Sequence, residues 1–343
     1  MHQILNTLYV MTQGAYLHLD HETLKVEVEG NIQLQVPVHH LGAVVCFGNI
    51  MVSPGAMHRC AEDGRALVLL DFNGRFKARL VGPISGNVLL RQAQHRALES
   101  PQQTLAIARN MVAGKIQNAR HVVMRCSREA EESEDAEAFR LVGERHSAIL
   151  SELAESGDID TVRGLEGMAA ALYFSVFNHM VRRDKETFRF DGRNRRPPRD
   201  PVNALLSFLY ALLLNDCVAG AEGVGLDPQI GYLHAIRPGR PSLGLDLMEE
   251  LRSVLADRLA LTLINRQQIT RDHFVERPGG ATYLNEVGRK AVVVAYQKRK
   301  ADEVYHSVAD RKTPLGLVPH IQARLLARHL RGDMEHYIPF IYQ

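Results

Sequence analysis

The sequence predicts an α+β fold, with a small N-terminal β-rich domain over residues 1–95 and a larger all-α domain over residues 96–343. Three observations carry this reading. Up to about residue 95 apolar and polar residues alternate with period two, the signature of strands with one buried face. From residue 98 onward the apolar residues recur at helical spacing. A length of 343 residues is also more than one core usually organises, at roughly one domain per ~150 residues.

Within the first part, Leu24–Gly30 and Ile32–Val38 each alternate, and Gly30-Asn31 between them supplies a turn. Each of these strands is expected to show one face to a core and one to water. Asn73-Gly74 separates Leu67–Phe72 from Arg75–Val81, and Asn-Gly is the strongest short hairpin signal. Ser53-Pro54 has the form of an N-cap with proline in the first turn, so one helix interrupts the strands. In the second part, Ser100-Pro101-Gln102-Gln103 resembles a capping box, and Leu105, Ala108, Met111, Val112 and Ile116 follow at helical spacing. Asp200-Pro201 repeats the device ahead of Val202, Leu205, Leu206, Leu209, Leu212 and Leu213. Between these helices Asp191–Asp200 reads as a mobile loop, because two prolines and a glycine interrupt regular structure.

Composition excludes several classes. The 45% hydrophobic and 23% charged fractions are those of an ordinary globular chain, not a disordered one. Forty-one Lys+Arg against thirty-nine Asp+Glu leave +2, so any nucleic-acid surface must come from local clustering. Four widely spaced cysteines, Cys46, Cys60, Cys126 and Cys217, form neither a zinc module nor a disulfide framework. With no leader-like opening and no apolar run near the ~18 residues of a membrane span, the expectation is a reduced, cytoplasmic protein with no membrane partner.

Several motifs fail on context. The glycines of GAEGVG (Gly220, Gly223, Gly225) follow a helical pattern, whereas a dinucleotide fold needs a strand there. Neither a Gly-Lys-Ser/Thr phosphate loop nor a Gly-x-Ser-x-Gly elbow occurs. His18 and His21 fall at a strand end without a second pair, and Arg331-Gly332-Asp333 reads as a helix end and its cap.

Chemistry is expected in three places. Glu166 shares a helical stripe with Val162, Ala169, Ala170 and Tyr173, and a carboxylate buried among apolar residues needs a charged partner or a metal. Taken alone it is read as an ion pair with Arg163 or a distant arginine. Gly164 and Gly167, each costing ~1 kcal/mol in a helix, suggest close approach of another element. His234 ends Gly231-Tyr232-Leu233-His234, and alone it is read as structural. Asp246 and Glu249, three residues apart, put two carboxylates on one side of a helix, facing away from Leu247, Leu251 and Val254. An ion pair from Glu249 to Arg252 and a favourable helix dipole account for part of this. The repulsion among Asp246, Glu249 and Glu250 is left unexplained unless a cation is near. Together, oxygen donors and one imidazole suit Mg²⁺ or Mn²⁺ and do not suit structural zinc. Tyr173, Asn203 and Tyr210 stay open between site support and helix packing. Between Arg182 and Arg199 there are eight basic residues, among them Arg189, Arg193, Arg195, Arg196 and Arg199, interleaved with Phe188 and Phe190. A DNA-phosphate surface and a solvated loop are equal alternatives for this segment.

The succession GLEGMAA, FRFDGRNRRPPRDPVNALLSFLYALL, GYLH and RPSLGLDLMEELR closely resembles the universal CRISPR-associated integrase family, in the manner of its I-C subtype. The resemblance spans nearly the whole chain. It implies a metal-dependent DNA endonuclease and integrase that inserts short foreign DNA into a CRISPR array by transesterification, in antiviral defence. It further implies a prokaryotic homodimer joined through the β-rich domains, a small ferredoxin-like partner subunit, and double-stranded or branched DNA as substrate. By the resemblance Glu166, His234 and Glu249 are metal ligands and Asp246 the supporting acid, with His234 also a candidate proton carrier. Subfamilies differ between Asp and Glu at the Glu249 position. The competing expectations are a stand-alone nuclease of branched DNA in repair, a non-catalytic DNA-bending scaffold and a helical protein-interaction module.

Overall fold

Alternation builds the N-terminal strands where the sequence places them. The computed structural model describes all residues except 1–5, 73, 75, 81, 83–87, 195 and 196. Strands β1 (Asn6–Val10), β2 (Tyr16–Asp20), β3 (Thr23–Val28), β4 (Asn31–Pro37), β5 (Leu41–Phe47) and β6 (Met51–Val52) precede helix α1 (Pro54–Glu62), and β7 (Ala66–Leu70) and β8 (Phe76–Leu80) follow it. They form two four-stranded sheets, ordered β1-β5-β7-β8 and β4-β3-β2-β6. Leu8, Val10, Val44, Cys46 and Leu67 of the first sheet share one core with Leu17, Leu24 and Val26 of the second and Ala56 and Cys60 of α1. Ser53 caps α1 as expected, its hydroxyl accepting from Ala56 N at 3.2 Å. The β7–β8 hairpin is antiparallel and Gly74 has φ +79°, while Asn73, expected in its turn, lies outside the described residues.

Two expectations for this part are corrected. The β3–β4 turn is made by Glu29 and Gly30, both at positive φ, not by Gly30-Asn31, because Val28 already pairs with Asn31. Strand β4 does not bury its apolar face: it is a sheet edge with Ile32 52% and Leu34 46% exposed. Alternation records which residues share a face, but it does not say that this chain supplies the cover.

The remainder is mostly helical: α2 (Val88–Glu99), α3 (Pro101–Glu129), α4 (Ser133–Glu155), α5 (Ile159–Ser175), α6 (Phe177–Met180), α7 (Pro201–Gly223), α8 (Ser242–Glu249) and α9 (Arg258–Asn265), with a π-helical turn at Arg252–Asp257. Two short hairpins are added, β9 (Phe274–Arg277) with β10 (Ala281–Leu284) and β11 (Glu303–His306) with β12 (Arg311–Pro314), flanking α10 (Glu286–Ala301) and preceding α11 (Val318–Leu330). Strands of four residues are too short to register as alternation against a helical background. The chain divides into two compact units, one running to Gly86 and including Leu284–Gln297, the other comprising Asn87–Tyr283 and Lys298–Gln343.

In the helical unit, α3, α4 and α5 pack through Ala108, Val112, Ile116, Ile149, Leu153, Val162, Leu165 and Ala169, with Leu233 closing the cluster. Helix α7 is long and apolar enough to cross a membrane by length and composition, contrary to expectation, but most of that stretch is buried inside the unit. Its Gly220 lies against the Pro319–His320 backbone of α11, where a Cβ would come within 3.1 Å. The GAEGVG glycines thus begin as helix packing. Arg331 and Gly332 (φ +80°) end α11, as the sequence suggests.

The C-terminal strand of chain is tied down by one acid. Glu250, fully buried, accepts from Phe340 N at 2.7 Å, from Gln322 Nε2 at 2.8 Å and from the Tyr337 hydroxyl. Asn118 of α3 adds bonds to the carbonyls of Glu250 and Phe340, each 2.8 Å. Burial pushes Glu250 up to about 8 against the pull of its three donors. The folded state therefore favours the neutral acid, so its contribution to stability is complete below the usual glutamate value and is lost as pH rises toward 8. Chemical denaturation should show stability falling by on the order of 2–4 kcal/mol from about pH 5 to pH 8. Glu250→Gln should remove most of that slope; a wild-type profile flat over this range would refute the assignment.

Candidate metal and phosphoryl-transfer site

The site begins with a carboxylate that cannot stand alone. Glu249, the last residue of α8, is 1% exposed, and Asp246 one turn earlier is fully buried. The two acids face one side of the helix, toward His234, but that side is as buried as the one carrying Leu247, Leu251 and Val254. Helix α8 is enclosed all round, so both acids need partners inside the protein. The three neighbouring acids separate: Glu250 turns to the C-terminal residues, while Asp246 and Glu249 face His234.

Asp246 organises the segment that carries His234. Its Oδ2 accepts from Tyr232 N at 2.6 Å and Leu233 N at 3.1 Å, and its Oδ1 accepts from His234 N at 3.0 Å. The same Oδ1 lies 2.7 Å from His234 Nδ1, which fixes the ring and points Nε2 the other way, 3.6 Å from Glu249 Oε1. A carboxylate holding one imidazole nitrogen while the other stays available is the arrangement of metal-binding histidines. Gly231 makes it possible, since a Cβ there would meet Asp246 Oδ2 at 2.7 Å and the Ser242 backbone at 2.6 Å.

Glu166 comes from the middle of α5, whose N-terminus is capped by Asp158 accepting from Asp160 N and Thr161 N at 2.9 and 2.8 Å. Val162, Leu165 and Ala169 take the buried face, and Glu166 lies at its edge with its side chain 26% exposed. Among the described residues its close ion-pair partner is Lys115 of α3 in place of Arg163, with the Arg252 charge acting at longer range. Arg163 instead pairs with Asp160 and donates to Leu233 O at 2.8 Å, fastening α5 to the His234 segment. Among the described residues no element comes within 4 Å of a Cβ added at Gly164 or Gly167.

Lys115 is the residue sequence reading passed over. Its ammonium touches Glu166 Oε1 and lies 2.6 Å from Glu249 Oε2, bridging acids from two helices. A signal existed: Lys115 falls three and four residues after Val112 and Met111, inside the apolar stripe of α3. Glu249 Oε1 also meets Arg252 at 2.8 Å, as the sequence suggested. Burial alone would raise Glu249, but Arg252, Lys115 and His234 outweigh it and hold the carboxyl at about 2.

Arg252 is itself held from behind. Its guanidinium lies 5.2 Å from the centre of the Tyr210 ring, and Arg193 lies over the same ring at 5.1 Å. The Tyr210 hydroxyl donates to Asp257 Oδ1 at 2.7 Å, across the π-helical turn. Tyr210 thus supports the site, and Asn203 supports the loop, donating to Gly192 O and Asp200 Oδ2 at 2.9 and 2.7 Å. Asn194 bonds Asp200 and Arg199 N, so hydrogen bonds brace the described ends of the Asp191–Asp200 loop. Arg189 and Arg199 are exposed, Arg189 pairing with Asp191, whereas Arg193 points inward. Arg195 and Arg196 lie outside the described residues. Phe188 and Phe190 are buried, Phe190 against Phe174 and Phe177.

Among the described residues no three His, Cys, Asp or Glu side chains converge closely enough to hold a metal as they stand. The position between Glu166 and Glu249 is taken by the Lys115 ammonium, a positive charge where a cation would bind. Two carboxylates on one cationic group, with an imidazole Nε2 3.6 Å from the second of them, are donor types that suit a hard divalent ion. Gly231→Ala should push Asp246 off its three amides and lower stability by about 1–3 kcal/mol. Denaturant titration checks this, and an unchanged midpoint would show that the close approach is not needed.

The family model for CRISPR associated protein Cas1 matches residues 8–298. A CRISPR-associated endonuclease Cas1 of Moorella thermoacetica is 58% identical over 343 residues, covering 100% of both chains. In fold, the chain resembles a casposase bound to integration product, with TM-score 0.82 and 21% identity over 97% of this chain and 92% of that one. It also resembles a chain of a Cas6-RT-Cas1–Cas2 complex, with TM-score 0.82 and 22% identity over 98% of this chain and 36% of that one. The family match over most of the chain and the end-to-end identity lead to one conclusion: this chain belongs to the Cas1 family of CRISPR-associated proteins.

Proposed function

We propose that this chain is a metal-dependent DNA endonuclease and integrase that inserts short foreign DNA into a CRISPR array. One observation carries the reading: Asp246 fixes His234 so that its Nε2 lies 3.6 Å from Glu249 Oε1, while the other oxygen of Glu249 shares the Lys115 ammonium with Glu166. Membership of the Cas1 family and the endonuclease name of the Moorella relative support the same activity. In this reading Glu166, His234 and Glu249 hold Mg²⁺ or Mn²⁺. A divalent ion bound there supplies positive charge for the phosphodiester under attack and for the departing oxygen.

The residues do the positioning. Asp246 keeps the His234 ring in one tautomer and orientation, with the proton on Nδ1. Nδ1 is committed to Asp246, so Nε2 is the nitrogen that would serve the ion or carry a proton. Arg252, braced by Tyr210, keeps Glu249 ionised within a buried setting. The reaction is a transesterification: the 3′-oxygen of the incoming DNA forms a bond to phosphorus, the old phosphorus–oxygen bond breaks, and the proton passes to the released 3′-oxygen. One phosphodiester replaces another, which fits a chain without a phosphate loop.

Exposed Arg189 and Arg199 are assigned to phosphate contacts on double-stranded or branched DNA, together with Arg195 and Arg196; Arg193 acts by bracing Tyr210. We assign residues 1–95 to homodimerisation, a role supported by the exposed Ile32 and Leu34 at the β4 edge. A small ferredoxin-like partner subunit completes the assembly, the presence of a partner being supported by the Cas1–Cas2 neighbour, and a prokaryotic cytoplasm is the proposed setting, in keeping with the Moorella relative.

The test is strand transfer of a labelled 3′-hydroxyl duplex into a supercoiled repeat plasmid, with Mn²⁺ or chelator and with or without the small partner. Wild type should join the label to the plasmid. Glu166→Ala and His234→Ala, like chelation, should reduce joining by at least ~100-fold and leave DNA affinity within a few-fold. Full joining by Glu166→Ala would sink the assignment, and cleavage of branched DNA without joining would point to a repair nuclease.

A further inference from the structure

We propose that Lys115 is a built-in counter-ion, holding Glu166 and Glu249 together until a divalent cation displaces it from between them. The inference rests on reading those acids and His234 as metal ligands. Lys115 lies on α3, 13% exposed, with its ammonium against carboxylates from α5 and α8. Two carboxylates that approach one point repel, and one of these is buried, so without a cation the pair would spread or take up a proton. Arg252 reaches Glu249, and Lys115 is what joins Glu249 to Glu166.

The two basic residues differ in what they can do. Arg252 is stacked on Tyr210 and acts as a fixed charge. Lys115 is a compact charge on a flexible stem, able to withdraw without moving the backbone of α3. The Glu166 side chain is 26% exposed, which leaves its side of the site accessible to an incoming ion. The exchange is of one cation for another: two ion pairs to the ammonium are lost and bonds from the same oxygens to the metal replace them. Once displaced, the ammonium is available to pair with a DNA phosphate. Loading of the metal and recruitment of the phosphate are then linked through one side chain.

A substitution that removes the charge should therefore help the metal and harm the metal-free protein. Full-length wild type, Lys115→Gln, Lys115→Arg and His234→Ala are titrated with Mn²⁺, the free ion being followed by electron paramagnetic resonance, and melted in chelator and in Mn²⁺. Lys115→Gln should bind Mn²⁺ about tenfold or more tightly than wild type. It should also melt several degrees lower in chelator and show a larger stabilisation by Mn²⁺. Lys115→Arg, which keeps the charge and grips both acids with a fork, should weaken Mn²⁺ binding. If Lys115→Gln is unfolded in chelator, folding on addition of Mn²⁺ supports the proposal. If it is unfolded in both conditions, Lys115→Arg decides, and unchanged Mn²⁺ affinity there overturns it. Equal or weaker Mn²⁺ binding by folded Lys115→Gln overturns the counter-ion role, while loss of binding in His234→Ala would leave the metal reading standing. Wild type that binds no Mn²⁺, or binding unaffected by His234→Ala, overturns both.

Discussion

Burial of the Glu249 carboxylate is the constraint from which the site follows. A carboxylate with 1% exposure has lost its hydration, and leaving such a group unpaired costs on the order of 3–5 kcal/mol. The fold answers with three basic groups from three directions: Lys115 from α3, Arg252 from the turn after α8, and His234 from the segment before it. Each of these requires its own support. His234 needs Asp246, Asp246 needs the amides of Tyr232, Leu233 and His234, and those amides need Gly231 to let the chain pass.

The same logic explains why the neighbouring acid takes no part. Glu250 sits one residue on, so it leaves α8 about 100° away and meets the other side of the unit. There it is neutralised by burial and fastened to Tyr337, Gln322 and Phe340, which ties the end of the chain to α3 and α11. Adjacent glutamates thus have opposite fates. Glu249 is kept charged by basic neighbours, and Glu250 is pushed toward its neutral form by burial. A single helical step separates a group suited to binding a cation from one suited to holding a chain segment.

The braced loop gives a second example of polar groups acting at a distance. Asn203 and Asp200 at the start of α7 hold the chain at Gly192 and Asn194, which seats Arg193 on Tyr210. Tyr210 then supports Arg252, and Arg252 supports Glu249. Basic residues adjacent in sequence are thereby divided between two tasks. Arg193 faces the site, while Arg189 and Arg199 remain on the surface.

The sequence by itself determined the division into a β-rich and a helical part and the caps at Ser53, Ser100 and Asp200, whereas Glu166, His234, Asp246 and Glu249 were joined into one site by the resemblance of their motifs to a known family. The division and the caps are local properties: periodicity and capping act within a few residues. Only the tertiary structure decided that Lys115 is the partner of Glu166, that β4 leaves Ile32 and Leu34 uncovered, and that no described element comes within 4 Å of a Cβ added at Gly164 or Gly167. Lys115 and Glu166 are 51 residues apart, and which charge meets which acid depends on how α3, α5 and α8 pack. Spacing along a helix fixes the face a residue occupies, and only packing fixes what that face meets.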